Sequence, residues 1–382
     1  MSEYQYYEFQ AIDKPLGDKD IKALRNLSTR AQITATSFVN EYHWGDFKGD
    51  PVKLMERYYD AFLYVANWGT HWFMFKIPRR LIPIDLVKPY CLGENATLHE
   101  KGESLIFEFI SETDDYEWEE GEGRLSSLIS LRSDIIQGDY RALYLAWLFC
   151  AQTGEMEYDE FEPPVPAKLG DLNAPLKSFI DFMRIDADLI AVAAENSAPQ
   201  GRPAGYQKAL KSWIKSLSET EKNDILFRLA KDHDPHLGTE LMQRFQEAVS
   251  IKDDAGTGNK PRTVADLLEK AEALTVERQR QIARQKAEEK ARKKRQKAIA
   301  REKYLDGLAE KENTVWKNVA DLINKRQPTD YDEAVQLLVD LRDLSKKQNN
   351  ETAFKNKMRG IYEKHRRKSS FIRRLAKAGL SG

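Results

Sequence analysis

Little in this sequence points to covalent chemistry. Its 382 residues contain two cysteines, Cys91 and Cys150, both in or beside apolar segments. A disulfide scaffold is not supported, and a reduced, cytoplasmic setting is the expectation. No window approaches the roughly 18 apolar residues that read as a membrane span. The first residues, MSEYQYYEFQ, lack a basic stretch followed by an apolar run, so no signal peptide is expected. Neither a cofactor motif nor a set of metal ligands at working spacing occurs, so none is expected to bind.

Charge is what the chain has in quantity. Charged residues make up 32% and apolar residues 41%, with a mean hydropathy of −0.64. That composition folds, but it leans polar. The formal net charge of −1 conceals an asymmetry. Residues 251–382 hold 33 Lys and Arg against 20 Asp and Glu, whereas residues 1–250 hold 27 against 41. Halves of opposite sign favour an intramolecular embrace or two different partners.

The basic half is organised around one stretch. Between Pro261 and Gly307 neither proline nor glycine occurs, and Ala, Lys, Arg, Glu and Gln dominate. These are strong helix formers. Thr263 reads as the N-cap, with Asp266 favourable in the first turn. Val264, Leu267, Leu268, Ala271 and Leu274 form an apolar stripe, which thins after Ile282 and returns with Ala298, Ile299, Tyr304, Leu305 and Leu308. A helix over 262–325 is expected, its ends buried and its centre crossing solvent or lying on a charged partner. Residues 277–303 carry 12 Lys and Arg against 4 Glu. The pairs Glu288–Arg292 and Glu289–Lys293 help, but most of the cations have no partner in the helix.

The rest of the chain reads as an α+β N-terminal domain followed by mostly α-helical regions. Strands are expected near 4–12, 31–39, 62–65, 71–77 and 105–110, with helices at 18–27 and from Asp50-Pro51, an N-cap followed by proline at the first helical position. Helices at 125–136 and 140–152 complete an acidic domain over 1–153. An acidic, proline-bearing linker over 154–170 is the expected boundary. A helical region (171–250), a flexible linker (251–261), the long helix and a basic helical bundle (326–382) follow.

Three loops carry candidate sites. His43, with Trp44, Asp46 and Asp50, sits between a strand and a helix, but no nucleophile accompanies it and a structural turn is the plainer reading. The same loop, WGDFKGDP, lacks the spacing and ending of a phosphate loop. His233 and His236, flanked by Asp232 and Asp234, are too few for a zinc site and read as a polar turn. The acidic loop DDYEWEEGE reads most simply as a solvated hairpin loop, with Asp114, Asp115, Glu117, Glu119 and Glu120 as the alternative, a docking surface for a basic partner.

YYEFQAID (Tyr6–Asp13), YDEAVQLLVDLRDL (Tyr331–Leu344) and SSFIRRLAKAGL (Ser369–Leu380) resemble segments of a bacterial protein family with no activity attached to it. The resemblance covers most of the chain. It implies a bacterial cytosolic protein and transfers no functional residues.

The expectation is therefore a non-enzymatic interaction or adaptor protein with a protein partner. Its binding face would be Arg284, Lys290, Arg292, Lys293, Lys294, Arg295, Lys297 and Arg301, with Arg366, Arg367, Lys368, Arg373 and Arg374. Three readings of the basic helix stay open: a solvated spacer, an arm docking on an acidic surface of its own chain or of a partner, and a nucleic-acid contact. The last would make the chain an accessory factor of a bacterial defence (for example CRISPR-linked) or gene-regulatory system. With few aromatics interleaved, such contacts would reach phosphates rather than bases.

Overall fold

Strands β1 (Gln5–Gln10), β2 (Gln32–Ile33), β3 (Ser37–Tyr42), β4 (Ala61–Ala66), β5 (His71–Pro78), β6 (Ala96–Lys101) and β7 (Ser104–Ser111) join in one antiparallel sheet. Their order is β2-β3-β1-β4-β5-β7-β6. The computed structural model describes residues 3–114, 119–198, 206–231, 237–249 and 261–380. Contacts divide the chain into unit 1, Met1–Glu277, and unit 2, Arg278–Gly382.

Alternation along the strands gives unit 1 two cores. In register, Phe9 lies opposite Phe38 on one side and Phe62 on the other. With Tyr7, Tyr64, Met74 and Ile106 these rings build one face, closed by Leu24 of α1 (Asp18–Arg25) and by Leu54 and Met55 of α2 (Pro51–Arg57). Tyr6, Leu63, Val65, Phe73, Phe75, Phe107 and Phe109 form the other face. Over it pack Val87 of α3 (Ile84–Val87), then α4 (Arg124–Leu128), α5 (Ser130–Ile136), α6 (Arg141–Gln152), α7 (Ala174–Met183) and α8 (Ala187–Ala194). With both faces covered, β4 (AFLYVA) is buried at every position, which is why it is apolar throughout rather than alternating. Asp50 caps α2, accepting from the Lys53 amide at 3.2 Å, with Pro51 in the first turn.

Besides the helix expected over 125–136, which is the two helices α4 and α5, the structure differs from the sequence reading at four places. The strand expected over 31–39 is two short strands, because the Thr34 hydroxyl accepts from the Thr36 and Ser37 amides and turns the chain. Strand β6 was not anticipated: ATLHEK alternates weakly, and it pairs only because a turn at Gly102 (φ +57°) folds it onto β7. The acidic connector at 154–170 is packed into unit 1, where Met156 and Pro163 are buried and the Tyr90 hydroxyl donates to the Pro164 carbonyl at 2.7 Å. Among the described residues, α9 (Tyr206–Ser216), α10 (Glu219–Lys231) and α11 (Leu237–Val249) complete the helices of this unit ahead of the basic stretch. The linker expected over 251–261 lies, apart from Pro261, outside the described residues.

The fourth difference is the length of the basic helix. It is α12, Val264–Ala309, at ~1.5 Å per residue about 70 Å long, and it stops before α13 (Glu312–Lys325). Gly307 stands in its last turn but without a positive φ, so no glycine cap turns the chain there. Leu305 and Leu308 share a core with Val319, Leu322 and Ile323, so the chain must turn between them. The turn is closed by the Lys311 amide donating to the Leu308 carbonyl at 3.0 Å. Helices α14 (Pro328–Lys347), α15 (Glu351–His365) and α16 (Ser369–Lys377) complete the C-terminal bundle around Leu338, Leu341, Phe354, Met358, Phe371 and Leu375. Gly379, at φ +68°, stops the last helix.

Candidate functional site

The basic helix is anchored at its start. Thr263 and Asp266 form a capping box: the Thr263 hydroxyl accepts from the Asp266 amide at 3.2 Å, and the Asp266 carboxylate from the Thr263 amide at 2.9 Å. Two further amides that the helix cannot satisfy itself are taken by the acidic connector, Val264 by the Glu160 carbonyl at 2.9 Å and Ala265 by that of Tyr158 at 3.0 Å. Val264, Leu267 and Ala271 enter the core of unit 1. Leu274, expected in the same stripe, is 40% exposed.

Just before this cap, Arg262 reaches inward. Its Nε and one Nη lie 2.8 and 2.7 Å from the two carboxylate oxygens of Glu162. The other nitrogen donates to the Val192 carbonyl at 2.8 Å, and the Ala193 carbonyl also accepts, at 3.1 Å. Those carbonyls close the last turn of α8, where the helix dipole favours a cation. The Tyr144 hydroxyl donates to Glu162 as well, and burial together with that carboxylate pushes its pKa far up.

Beyond Thr275 the helix is bare: every residue from Val276 to Ala300 is exposed. Residues 278–300 hold ten Lys and Arg against Glu288 and Glu289. The Lys293–Glu289 pair, at 2.6 Å, is well over half exposed at both ends and so worth a few tenths of a kcal/mol. Helical periodicity sorts the cations into two faces. Lys286, Lys290, Lys293, Lys294 and Lys297 fall along one side, together with Glu289. Arg284, Arg292 and Arg295 fall on the opposite side. Burial resumes only at Leu305, since Ile299 is 66% and Tyr304 46% exposed.

Other members of the expected binding face serve unit 2 itself. Arg301 holds Asp340 at 2.6 Å and Asp343 at 2.8 Å, and its guanidinium stacks on the Tyr304 ring. Arg374 binds Asp332 at 2.6 Å. Lys368 donates to the Ile323 carbonyl at 2.7 Å, and burial, with Arg326 and Lys364 nearby, lowers its pKa. Arg366, Arg367 and Arg373 are exposed. Sequence periodicity could not separate these groups, because their partners lie tens of residues away.

Of the expected acidic surface, Asp114 and Glu120 are exposed, while Asp115 and Glu117 lie outside the described residues, as do His233 and His236. Glu119 is engaged by His71 at 3.1 Å and by Arg124 at 3.0 Å. The His43 loop is held by Gln5, whose amide donates to the Gly45 carbonyl at 3.2 Å and to Asp46 at 3.1 Å. Trp44, at 79% exposed, projects from it.

His71 is a polar hub that the sequence reading missed. Its Nδ1 lies 2.7 Å from the Phe182 carbonyl, its ring stacks on Phe182, and an Nη of Arg184 lies 3.1 Å from Nε2. Burial, then the neighbouring Arg184, lowers its pKa against the opposing pull of the Phe182 carbonyl and Glu119. At 1% exposure the ring is closed to any substrate and ties β5 to the end of α7. Its partners stand 48 to 113 residues away, so no local motif announces it.

Among the described residues, no three or more His, Cys, Asp or Glu side chains converge as metal ligands, and no helix is long and apolar enough to cross a membrane. Comparison with family models, with curated proteins and with solved structures found no match.

Proposed function

We propose that this chain is a non-catalytic bacterial interaction protein that holds an acidic protein partner along its basic helix. One observation carries the reading: the exposed run of 278–300, with ten cations and two carboxylates. A helix meant only to cross solvent is steadied by balanced i,i+4 pairs, and like charges at that spacing cost about what such pairs gain. Here the imbalance calls for compensation from outside the helix, and an acidic surface supplies it. The lysine face suits this partner, because ammonium groups on flexible stems adapt to carboxylates without a fixed fork geometry.

A second reading, contact with nucleic-acid phosphates, rests on the same charge. It is weakened by the lack of any aromatic residue between Glu277 and Lys303, which leaves no stacking platform. The two separate in one experiment. A photo-cross-linking residue placed at Lys290 of the full chain, in cells of the native host, is expected to capture one acidic protein in stoichiometric yield. Capture of nuclease-sensitive material supports the second reading instead, and capture of neither sinks both.

A further inference from the structure

Helix α15 keeps one of its faces clear of the rest of unit 2. Phe354, Met358 and His365 are buried, and Ile361 packs against the same core. On another side Lys357 is engaged by α13, its Nζ 3.4 Å from Glu312 and 4.9 Å from the centre of the Trp316 ring. Lys355, Arg359, Tyr362 and Arg366 follow one another at four, three and four residues, the spacing of a single helix face. All four are exposed, and the stripe they form is about 16 Å long. Among the described residues none of its three cations has an ion pair, not even with Glu363, which stands four residues beyond Arg359. The Tyr362 ring, 37% exposed, meets no other aromatic ring and lies under no cation among the described residues, whereas Arg301 covers the ring of Tyr304.

We propose that this stripe binds single-stranded nucleic acid, with Lys355, Arg359 and Arg366 at the phosphates and a base stacked on Tyr362. The combination of side chains selects that ligand. Cations alone fit any polyanion. A free ring set among them, three residues from one arginine and four from the other, adds the stacking platform that residues 277–303 lack. The two arginines suit phosphate, because a guanidinium donates to two of its oxygens at once. An acidic peptide would engage the cations and make no use of the ring. An anionic lipid surface fits less well, because the apolar side chains of α15 that such a surface needs are turned into the core. A duplex fits less well too, since its bases stay stacked on one another. This site stands apart from the basic helix and does not rest on which partner that helix holds.

Fluorescence anisotropy with a labelled oligothymidylate of about 12 nucleotides, at low salt, tests this. The full chain is used with Lys286, Lys290, Lys293, Lys294 and Lys297 replaced by Gln, so that the lysine face of α12 does not compete for the probe. This chain is expected to bind the oligothymidylate at least about fivefold more tightly than an abasic strand of the same length. Tyr362→Ala should abolish that preference, and Tyr362→Phe, which keeps the ring, should preserve it. Arg359→Gln with Arg366→Gln should make the slope of log K against log salt shallower by about 1.4, as two lost phosphate contacts on a single strand do. Both arginines are exposed, so the melting temperature should hold in that variant, which separates lost binding from lost folding. Equal affinity for the two strands, or a preference that survives Tyr362→Ala, overturns the proposal. A salt slope unmoved by the arginine pair overturns the placing of the phosphates on this stripe.

Discussion

Arg262 and Glu162 meet as a two-pronged ion pair with both side chains at least nine-tenths buried, a hundred residues apart in the chain. Two charges taken out of water this completely are held by each other and by Tyr144, Val192 and Ala193. Removing one partner strands the other, at a typical cost of 3–5 kcal/mol. Glu162→Gln keeps the shape and is expected to lower the stability of unit 1 by about 3 kcal/mol. Urea unfolding followed by tryptophan fluorescence reads this, and an unchanged midpoint would show that the pair does not hold the start of α12.

The lysine face makes the opposite prediction. Lys286, Lys290, Lys293, Lys294 and Lys297 touch no core, so replacing all five with Gln should leave thermal stability within about 0.5 kcal/mol of the parent, as surface changes usually do. Capture of the partner should be lost in the same variant. Partner binding by the parent should also weaken as salt rises, because exposed charges are screened. Binding that survives both the substitution and high salt would place the partner elsewhere.

Stability along α12 should be uneven. Its first turns pack through Val264, Leu267 and Ala271, and its last through Leu305 and Leu308. Between them only helix propensity and weak side-chain pairs act. Amide hydrogen exchange is expected to be fast across 278–300 and slow across 264–271 and 305–308, since local opening follows the density of buried apolar contacts. Uniform protection along the helix would reveal a covering surface on its centre.

His365 gives unit 2 a dependence on pH. It is 7% exposed, packed edge-on to Phe371, and its pKa is lowered by burial and then by Lys368 and Lys364. The unfolded chain therefore takes up a proton near pH 6.5 that the folded one refuses. Stability from this group is fully present above that pH and falls as the pH drops below it, by at most about 1.4 kcal/mol per pH unit. His71 has the same sign in unit 1. His365→Phe should flatten the loss between pH 7.5 and 5.5 for unit 2 alone, read by thermal melts of both proteins at each pH. An equal loss in parent and variant would assign the pH dependence to other groups.

Phe371 and Leu375 are fully buried among α13, α14 and α15. Phe371→Ala is expected to cost about 3–5 kcal/mol in unit 2, through lost transfer energy and the cavity it leaves. Calorimetry should show the transition of unit 2 moving down while that of unit 1 holds its place.

Where the physics is local, the sequence spoke clearly. The caps at Asp50 and Thr263, the bare centre of the basic helix and the stop at Gly379 each follow from a few adjacent residues. Where the deciding partner is distant, it was silent. Nothing near Arg301 says that Asp340 and Asp343 claim it, and nothing near His71 announces Arg184 or Glu119. The end of α12 at Ala309 belongs to the same class, because Leu308 packs against later helices.

The ends of the sheet carry a consequence for how this protein meets copies of itself. At one end β2 offers just two residues, Gln32 and Ile33. At the other, β6 finishes in His99, Glu100 and Lys101, with the last two exposed. A free strand needs a long, uncharged ladder to recruit another chain, and neither end supplies one. Crowding of this protein should therefore not seed cross-β growth from its native state.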